Sequence, residues 1–294
     1  MILAPLVPFV RIPDWVLLPE GALGKHLPPA ALSVKPFGTL VALGVYTGAY
    51  LALSQARRVG LSQRVLGALL VWVVLGGFVG GHVLDTLFYY PGEVMRRPWS
   101  LIMLWEGQSS FGGFTGAAAG ALGFALRYRV RVFPYADVVA SAFPAGWVLG
   151  RLGCALAHDH PGQPSQAWFA VAFPDGGRFD LGLLEMTLTV PLAVAFLVLR
   201  RQPRPTGFFL ATMTLAYAPT RLALDFLRAT EESWPYVTVV DPRYGPFTPA
   251  QWGCLLLLAV GVWLTLRVVR SIERGVLTGN VPVTRSESTR LWRS

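Results

Sequence analysis

VLGALLVWVVLGGFVGGHVLD, residues 65 to 85, holds no charged side chain until its last position. A helix rises about 1.5 Å per residue, so a run of this length crosses the roughly 30 Å hydrocarbon core of a bilayer. Its polar groups, His82 and Asp85, stand together at one end. The pattern recurs, with similar apolar runs over 37–56, 110–126, 135–157, 183–199, 207–227 and 251–268. The expected fold is an all-α membrane protein with seven transmembrane helices. Apolar residues make up 53% of the chain and charged residues only 14%, a composition far from that of a soluble domain.

Arginines set the orientation. Arg57, Arg58 and Arg64 follow the first span, Arg127, Arg129 and Arg131 the third, Arg200, Arg201 and Arg204 the fifth, and Arg267, Arg270 and Arg274 lie at or beyond the end of the seventh. Basic loops stay cytoplasmic, so the N-terminus is expected outside and the C-terminus inside. Arg96 and Arg97 are the exception, on an outer loop. The expected organisation is one membrane domain over 1–294, with an outer interfacial segment (1–36), an outer arm (86–109), a small outer head (158–182) and a cytoplasmic tail (271–294). Trp15 suits an interfacial anchor, and QPSQAWFAVAFPDGGRFDL (163–181) contains an alternating stretch suited to a strand or hairpin. The net charge of +9 is scattered in loop clusters and forms no stripe, so no nucleic-acid partner is expected. Two cysteines, Cys154 and Cys254, build no disulfide framework, although an outer-side bridge between them is conceivable.

With this topology the polar residues of six spans fall at their outer ends: His82 with Asp85, Ser109 and Ser110 before Gly112 and Gly113, Arg151 with Cys154, Glu185, Arg221 with Asp225 and Arg228, and Gln251. Ionisable groups in a membrane are costly and usually face a wet cavity, so one shared site is expected. Arg221, Asp225 and Arg228, at i, i+4 and i+7, share a helical face if the helix continues that far. Guanidinium forks bind phosphate bidentately, and Arg151 adds another. The start of FGGFTG (111–116) offers backbone N–H groups to an anion. Together these point to an anionic phospholipid headgroup; interhelical salt bridges are the plainer alternative.

Several segments, in order, carry a resemblance: GGHVLDTLFYYP (80–91), WEGQSSFGGFTG (105–116), GRLGCALAHDHPG (150–162), LGLLE (181–185), RPTGFFLATMTLAYAPTRLALDFLR (204–228) and TPAQW (248–252). Across roughly 37–270 the chain resembles the prolipoprotein diacylglyceryl transferases of bacterial plasma membranes. The resemblance implies transfer of the diacylglyceryl group of phosphatidylglycerol to the lipobox cysteine thiol of a prolipoprotein, with release of glycerol phosphate. It implies a multi-pass protein of the inner membrane with its active site toward the outer leaflet and no cofactor. Arg151 and Arg221 match arginines of the family's site, Arg228 a further one, Asp159 a carboxylate, Glu185 a glutamate, and Asp225 stands for a glutamate.

Three departures matter. The family reads SFHGG where this chain reads SFGG, its GRxGN asparagine is Cys154, and a tyrosine early in the first span is Phe37. Because a histidine is missing, His158 or His160 is expected to supply the proton acceptor. The same residues permit plainer readings: solvated histidines in a polar loop, Cys154 as small packing or as a nucleophile, or a metal site, since Cys154 and His158 are i, i+4 with His160 nearby. No fourth ligand is evident, so no metal is expected. A degenerate relative that only binds anionic lipid, and a lipid transporter, are the competing functions.

Overall fold

The computed structural model describes residues 7–16, 33–104, 107–232, 237 and 240–273. The expected tail beyond 273, most of the N-terminal segment, and Trp105 with Glu106 of the resemblance lie outside the described residues. Among those described, seven helices of 18 residues or more form: α1 (Pro36–Arg58), α2 (Gln63–Tyr89), α4 (Ser110–Tyr128), α5 (Phe133–Ala157), α6 (Leu181–Leu199), α7 (Phe208–Asp225) and α8 (Pro249–Glu273), with short α3 (Pro91–Arg96) after α2. Five of these, α1, α2, α5, α6 and α8, are long and apolar enough to cross a membrane. α4, rich in glycine and alanine, and α7, which carries Thr212, Thr214, Thr220, Arg221 and Asp225, are less apolar.

α7 stops three residues before Arg228. The backbone beyond Asp225 tightens into i, i+3 bonds, and Arg228 sits in a β-bridge with Gly162. The expected helical face of Arg221, Asp225 and Arg228 therefore ends at Asp225.

The fold also contains strands. β1 (Val7–Pro8), β4 (Pro161–Pro164), β5 (Val171–Phe173) and β6 (Gly176–Asp180) form one sheet in the order β1-β5-β6-β4, and β2 (Trp15–Val16) pairs with β3 (Ser33–Val34). The hairpin expected in 163–181 is β5 and β6, in register Val171 to Arg178 and Phe173 to Gly176. β1 joins it in parallel, Val7 beside Val171.

By its contacts the chain forms two compact units. One comprises residues 1–48, 143–194 and 223–240, and contains the sheet, the C-terminal part of α5 and the N-terminal part of α6. Here α1 and α5 cross closely, since a Cβ on Gly44 would lie 2.5 Å from the Gly146 carbonyl oxygen.

The other unit comprises 49–142, 195–222 and 241–294. Its apolar core includes Ala56, Val65, Leu66, Leu69, Phe124 and Tyr135. α2 and α4 pack backbone to backbone, as small residues allow in a membrane where lipid tails compete for apolar contact. Asp137 on α5 accepts the Leu210 N–H at 2.8 Å and so caps the start of α7.

A Cβ on Gly116 would lie 2.1 Å from the Gly76 carbonyl oxygen and 2.8 Å from Gly80 Cα, whereas one on Gly67 of α2 meets nothing within 4 Å. Gly116→Ala is expected to destabilise the protein by about 1–3 kcal/mol through forced separation of backbones. Gly67→Ala should be neutral or slightly stabilising, through helix propensity. Unfolding of the two variants in detergent measures the contrast.

Candidate active site

The last turns of α5 place Trp147, Arg151 and Cys154 at successive i, i+4 and i+3 positions, so they line one face. Arg151 lies over the Trp147 ring, 4.7 Å from its centroid. Opposite stands Glu185, one turn into α6, whose Oε1 forms an ion pair with Arg151, 2.9 Å from its Nε, and accepts from Trp147 Nε1 at 2.9 Å. Arg151 and Glu185 are both buried. The guanidinium thus has a fixed plane, and Arg151 Nη1 donates to Cys154 Sγ at 3.7 Å. Close packing holds this geometry: a Cβ on Gly182 would lie 2.8 Å from the Ala155 amide nitrogen and 2.9 Å from Cys154 Cβ, so only glycine lets α6 begin there.

α5 ends at Ala157, and His158 takes a left-handed conformation (φ 52°), the helix-ending position glycine usually fills. That turn sends the imidazole to the end of β6 and to the N-terminal segment. Its Nδ1 meets Asp180 Oδ2 at 2.6 Å and its Nε2 the Val10 carbonyl at 3.1 Å, while the ring stacks on Phe9 at 4.1 Å. Both nitrogens are engaged and the ring is buried.

The next two residues turn back. Asp159 Oδ1 bonds His160 Nδ1 at 2.5 Å, and Cys154 lies within bonding reach of the same imidazole. Burial works against a charge on His160, but the Asp159 carboxylate, helped by Cys154, outweighs it and pushes the pKa up to about 9. His160 is fixed through its backbone, whose carbonyl accepts the Leu181 N–H at 3.0 Å at the start of α6.

β4 follows at once and carries the third element. Gly162 bridges Arg228, and Gln163 N–H donates to the Leu227 carbonyl at 2.9 Å. Gly162 has no room for a side chain, because a Cβ would lie 2.6 Å from the Leu227 oxygen. Arg228 Nε donates to the buried Asp225 Oδ1 at 2.6 Å. Within this unit, then, Arg151, Glu185, Cys154, Asp159 and His160 form a continuous cluster, and the Asp225–Arg228 pair is joined to it along β4.

Arg221 belongs to the other unit, buried one turn before Asp225 along α7. So do Gly112 and Gly113, whose N–H groups are taken by Ser109, through Oγ at 3.1 Å and the carbonyl at 2.9 Å. A Cβ on Gly112 would lie 2.4 Å from the Gly80 carbonyl oxygen. These glycines serve helix packing and capping in this structure. His82 faces the Gly107 and Ser100 carbonyls at 3.1 and 2.8 Å, and so fastens the arm to α2. Gln251 exchanges bonds with Thr248, accepting its N–H at 3.0 Å and donating its own to Thr248 Oγ1 at 3.2 Å, a capping box for α8. Sequence reading gave Asp180 no role, although a carboxylate directly before an apolar helix is an N-cap signal. It also passed over Trp147, for which i, i+4 spacing from Arg151 was the available clue.

A mostly helical protein with apolar helices of spanning length and a buried arginine, carboxylate and imidazole cluster fits a membrane enzyme that handles an anionic, phosphate-bearing substrate. The family model for prolipoprotein diacylglyceryl transferase matches residues 26–267, and the chain belongs to that family. It is 29% identical over 290 residues to the phosphatidylglycerol--prolipoprotein diacylglyceryl transferase of Cereibacter sphaeroides, covering 83% of this chain and 96% of the relative. The proteins of that name from Nitratidesulfovibrio vulgaris and Pseudomonas aeruginosa are 28% and 27% identical, each alignment covering more than four fifths of this chain. Each also covers more than nine tenths of the relative.

The two histidines separate by substitution. His158→Ala leaves the buried Asp180 carboxylate without its imidazole and is expected to cost about 2–3 kcal/mol. His160→Ala, at a partly exposed pair, is expected to cost less than about 1 kcal/mol. Thermal unfolding of both in detergent checks the difference.

Proposed function

We infer that this chain transfers the diacylglyceryl group of phosphatidylglycerol to the lipobox cysteine thiol of a prolipoprotein. The observation that carries the reading beyond family membership is the buried Arg151, held in plane by Glu185 and Trp147 and linked through Cys154 to the Asp159–His160 pair. The thiol sulfur attacks the glycerol carbon that bears the phosphodiester. A carbon–sulfur bond forms, the carbon–oxygen bond to phosphate breaks, and glycerol phosphate leaves with the electron pair.

Negative charge grows on the departing phosphate ester, and guanidinium groups aimed there stabilise it. Arg151 takes that role, with Arg228 as a further headgroup contact; Glu185 and Asp225 orient Arg151 and Arg228. The thiol proton goes to His160 in its neutral form, where Asp159 orients the ring and stabilises the imidazolium; with the pKa pushed up to about 9, the neutral fraction and the rate are expected to rise as pH rises toward that value. An unperturbed imidazole near 6.5 is a poor match for a thiol near 8.5, and Asp159 narrows that gap. His160 thus fills the place left by the missing SFHGG histidine, and His158 supports the fold around it.

We read the chain as seven spans with the N-terminus outside and this cluster toward the outer leaflet of the bacterial plasma membrane. The arginine-rich connections support that orientation, and α4 and α7 complete the count despite their lower hydropathy. The head, with exposed Trp168 beside β5, faces the incoming polypeptide.

The test is purified protein in phosphatidylglycerol vesicles with a lipobox peptide, read by mass spectrometry for the diacylglyceryl thioether. Product is expected, with none when phosphatidylcholine replaces phosphatidylglycerol. Arg151→Lys should lower kcat by about 100-fold or more, and His160→Ala by about 10²–10⁴ while the protein stays folded. A folded protein that binds phosphatidylglycerol yet makes no product would identify a lipid-binding relative. Lipid crossing the bilayer unchanged would identify a transporter.

A further inference from the structure

Cys154, Asp159 and His160 have a second chemistry that the transfer reaction does not use. Their ligand atoms, a sulfur, a carboxylate oxygen and an imidazole nitrogen, lie within 4.8 Å of one another. The backbone explains how they meet. His158 spends its left-handed turn on Asp180 and Val10, so the chain doubles back and lays Asp159 and His160 over the last turn of α5. The i, i+4 pair of Cys154 and His158 seen in the sequence is therefore not the pair the fold assembles; Asp159 takes the histidine's place.

We propose that Cys154, Asp159 and His160 form a binding site for a zinc-class divalent cation. Tetrahedral bonds of about 2.0–2.3 Å place ligand atoms about 3.3–3.8 Å apart. The cluster's spacings, from the 2.5 Å Asp159–His160 contact to no more than 4.8 Å, bracket this range. Thiolate with imidazole selects zinc or cobalt over magnesium or calcium, which prefer all-oxygen sites. The thiolate and carboxylate neutralise the dication, so it adds no net charge beside Arg151, whose Nη1 already donates to the sulfur and serves as an outer hydrogen bond. Cys154 is buried while Asp159 is exposed, so the ion is anchored from within and keeps its fourth position toward solvent.

Cobalt reports the site directly, because a thiolate ligand gives a sulfur-to-metal charge-transfer band and tetrahedral geometry gives intense visible bands. Chelator-treated, full-length protein in detergent is titrated with Co²⁺ alone. Both features are expected to saturate at one equivalent and to bleach when Zn²⁺ is added. Cys154→Ser should abolish the charge-transfer band, and Cys254→Ser should retain it. Asp159→Asn and His160→Ala should each weaken cobalt binding by more than about 100-fold, since loss of an outer-shell partner alone costs 10–100-fold. Absence of the thiolate band in folded protein, its survival in Cys154→Ser, or its loss in Cys254→Ser would overturn the proposal. A bound ion also occupies His160, so Zn²⁺ is expected to slow diacylglyceryl transfer. That consequence rests on the transferase reading, whereas the cobalt spectrum does not, and the two can fail separately.

Discussion

The site depends on one carboxylate, Asp180. It closes the sheet at the end of β6, its Oδ1 accepts the Leu183 N–H at 2.9 Å to start α6, and its Oδ2 takes His158 at 2.6 Å. A single buried group thus ties the head to the end of α5 and the start of α6. Each partner then positions something else: Leu181 binds the His160 carbonyl, Glu185 follows one turn along the new helix, and the His158 turn returns the chain toward Cys154. Removing the carboxylate would release both constraints together.

A second constraint acts along the helices. In a low-dielectric surrounding every polar group needs a partner, and most find one nearby. His82 takes two arm carbonyls, Ser109 caps α4, Thr248 and Gln251 cap each other, and Asp137 caps α7. These residues resemble pieces of a binding site when read only by their depth along a span. Their bonds show most of them fastening helix ends and connections. Arg151, Glu185, Cys154, Asp159 and His160 are instead joined to one another by side-chain contacts that no helix end requires.

How much of this could be read from the chain follows from how local each signal is. Helix positions were legible to within a few residues, because run length and apolar content are properties of the segment itself. The hairpin in 163–181 was legible for the same reason. The N-terminal strand was not, since two residues pairing with a segment more than 160 positions away leave no periodicity to detect. The end of α7 was overrun because Arg228 continues the helical spacing, while the bridge to Gly162 that ends the helix is a distant contact. TPAQ, with Thr248 before Pro249 and Gln251 three residues on, states a capping box outright, and a membrane-depth argument obscured it. The different fates of His158 and His160 turn on one backbone angle that no composition encodes.

The Arg151–Glu185 pair is what stability alone explains least. Burying two charges costs more than their attraction usually returns, and apolar residues of similar volume are often as stable or more so. Trp147 adds a cation–π face and a hydrogen bond to the same carboxylate oxygen, so three side chains converge to fix one guanidinium. A structural lock would need only the carboxylate. Fixing the plane of the fork matters when the fork must meet charge that develops elsewhere, because a donor already in place pays no reorganisation as that charge appears. Cys154 belongs to the same design. Where the resembling family has an amide, this chain puts a sulfur between the guanidinium and the imidazole, which couples the group that would hold the phosphate to the group that would take the proton.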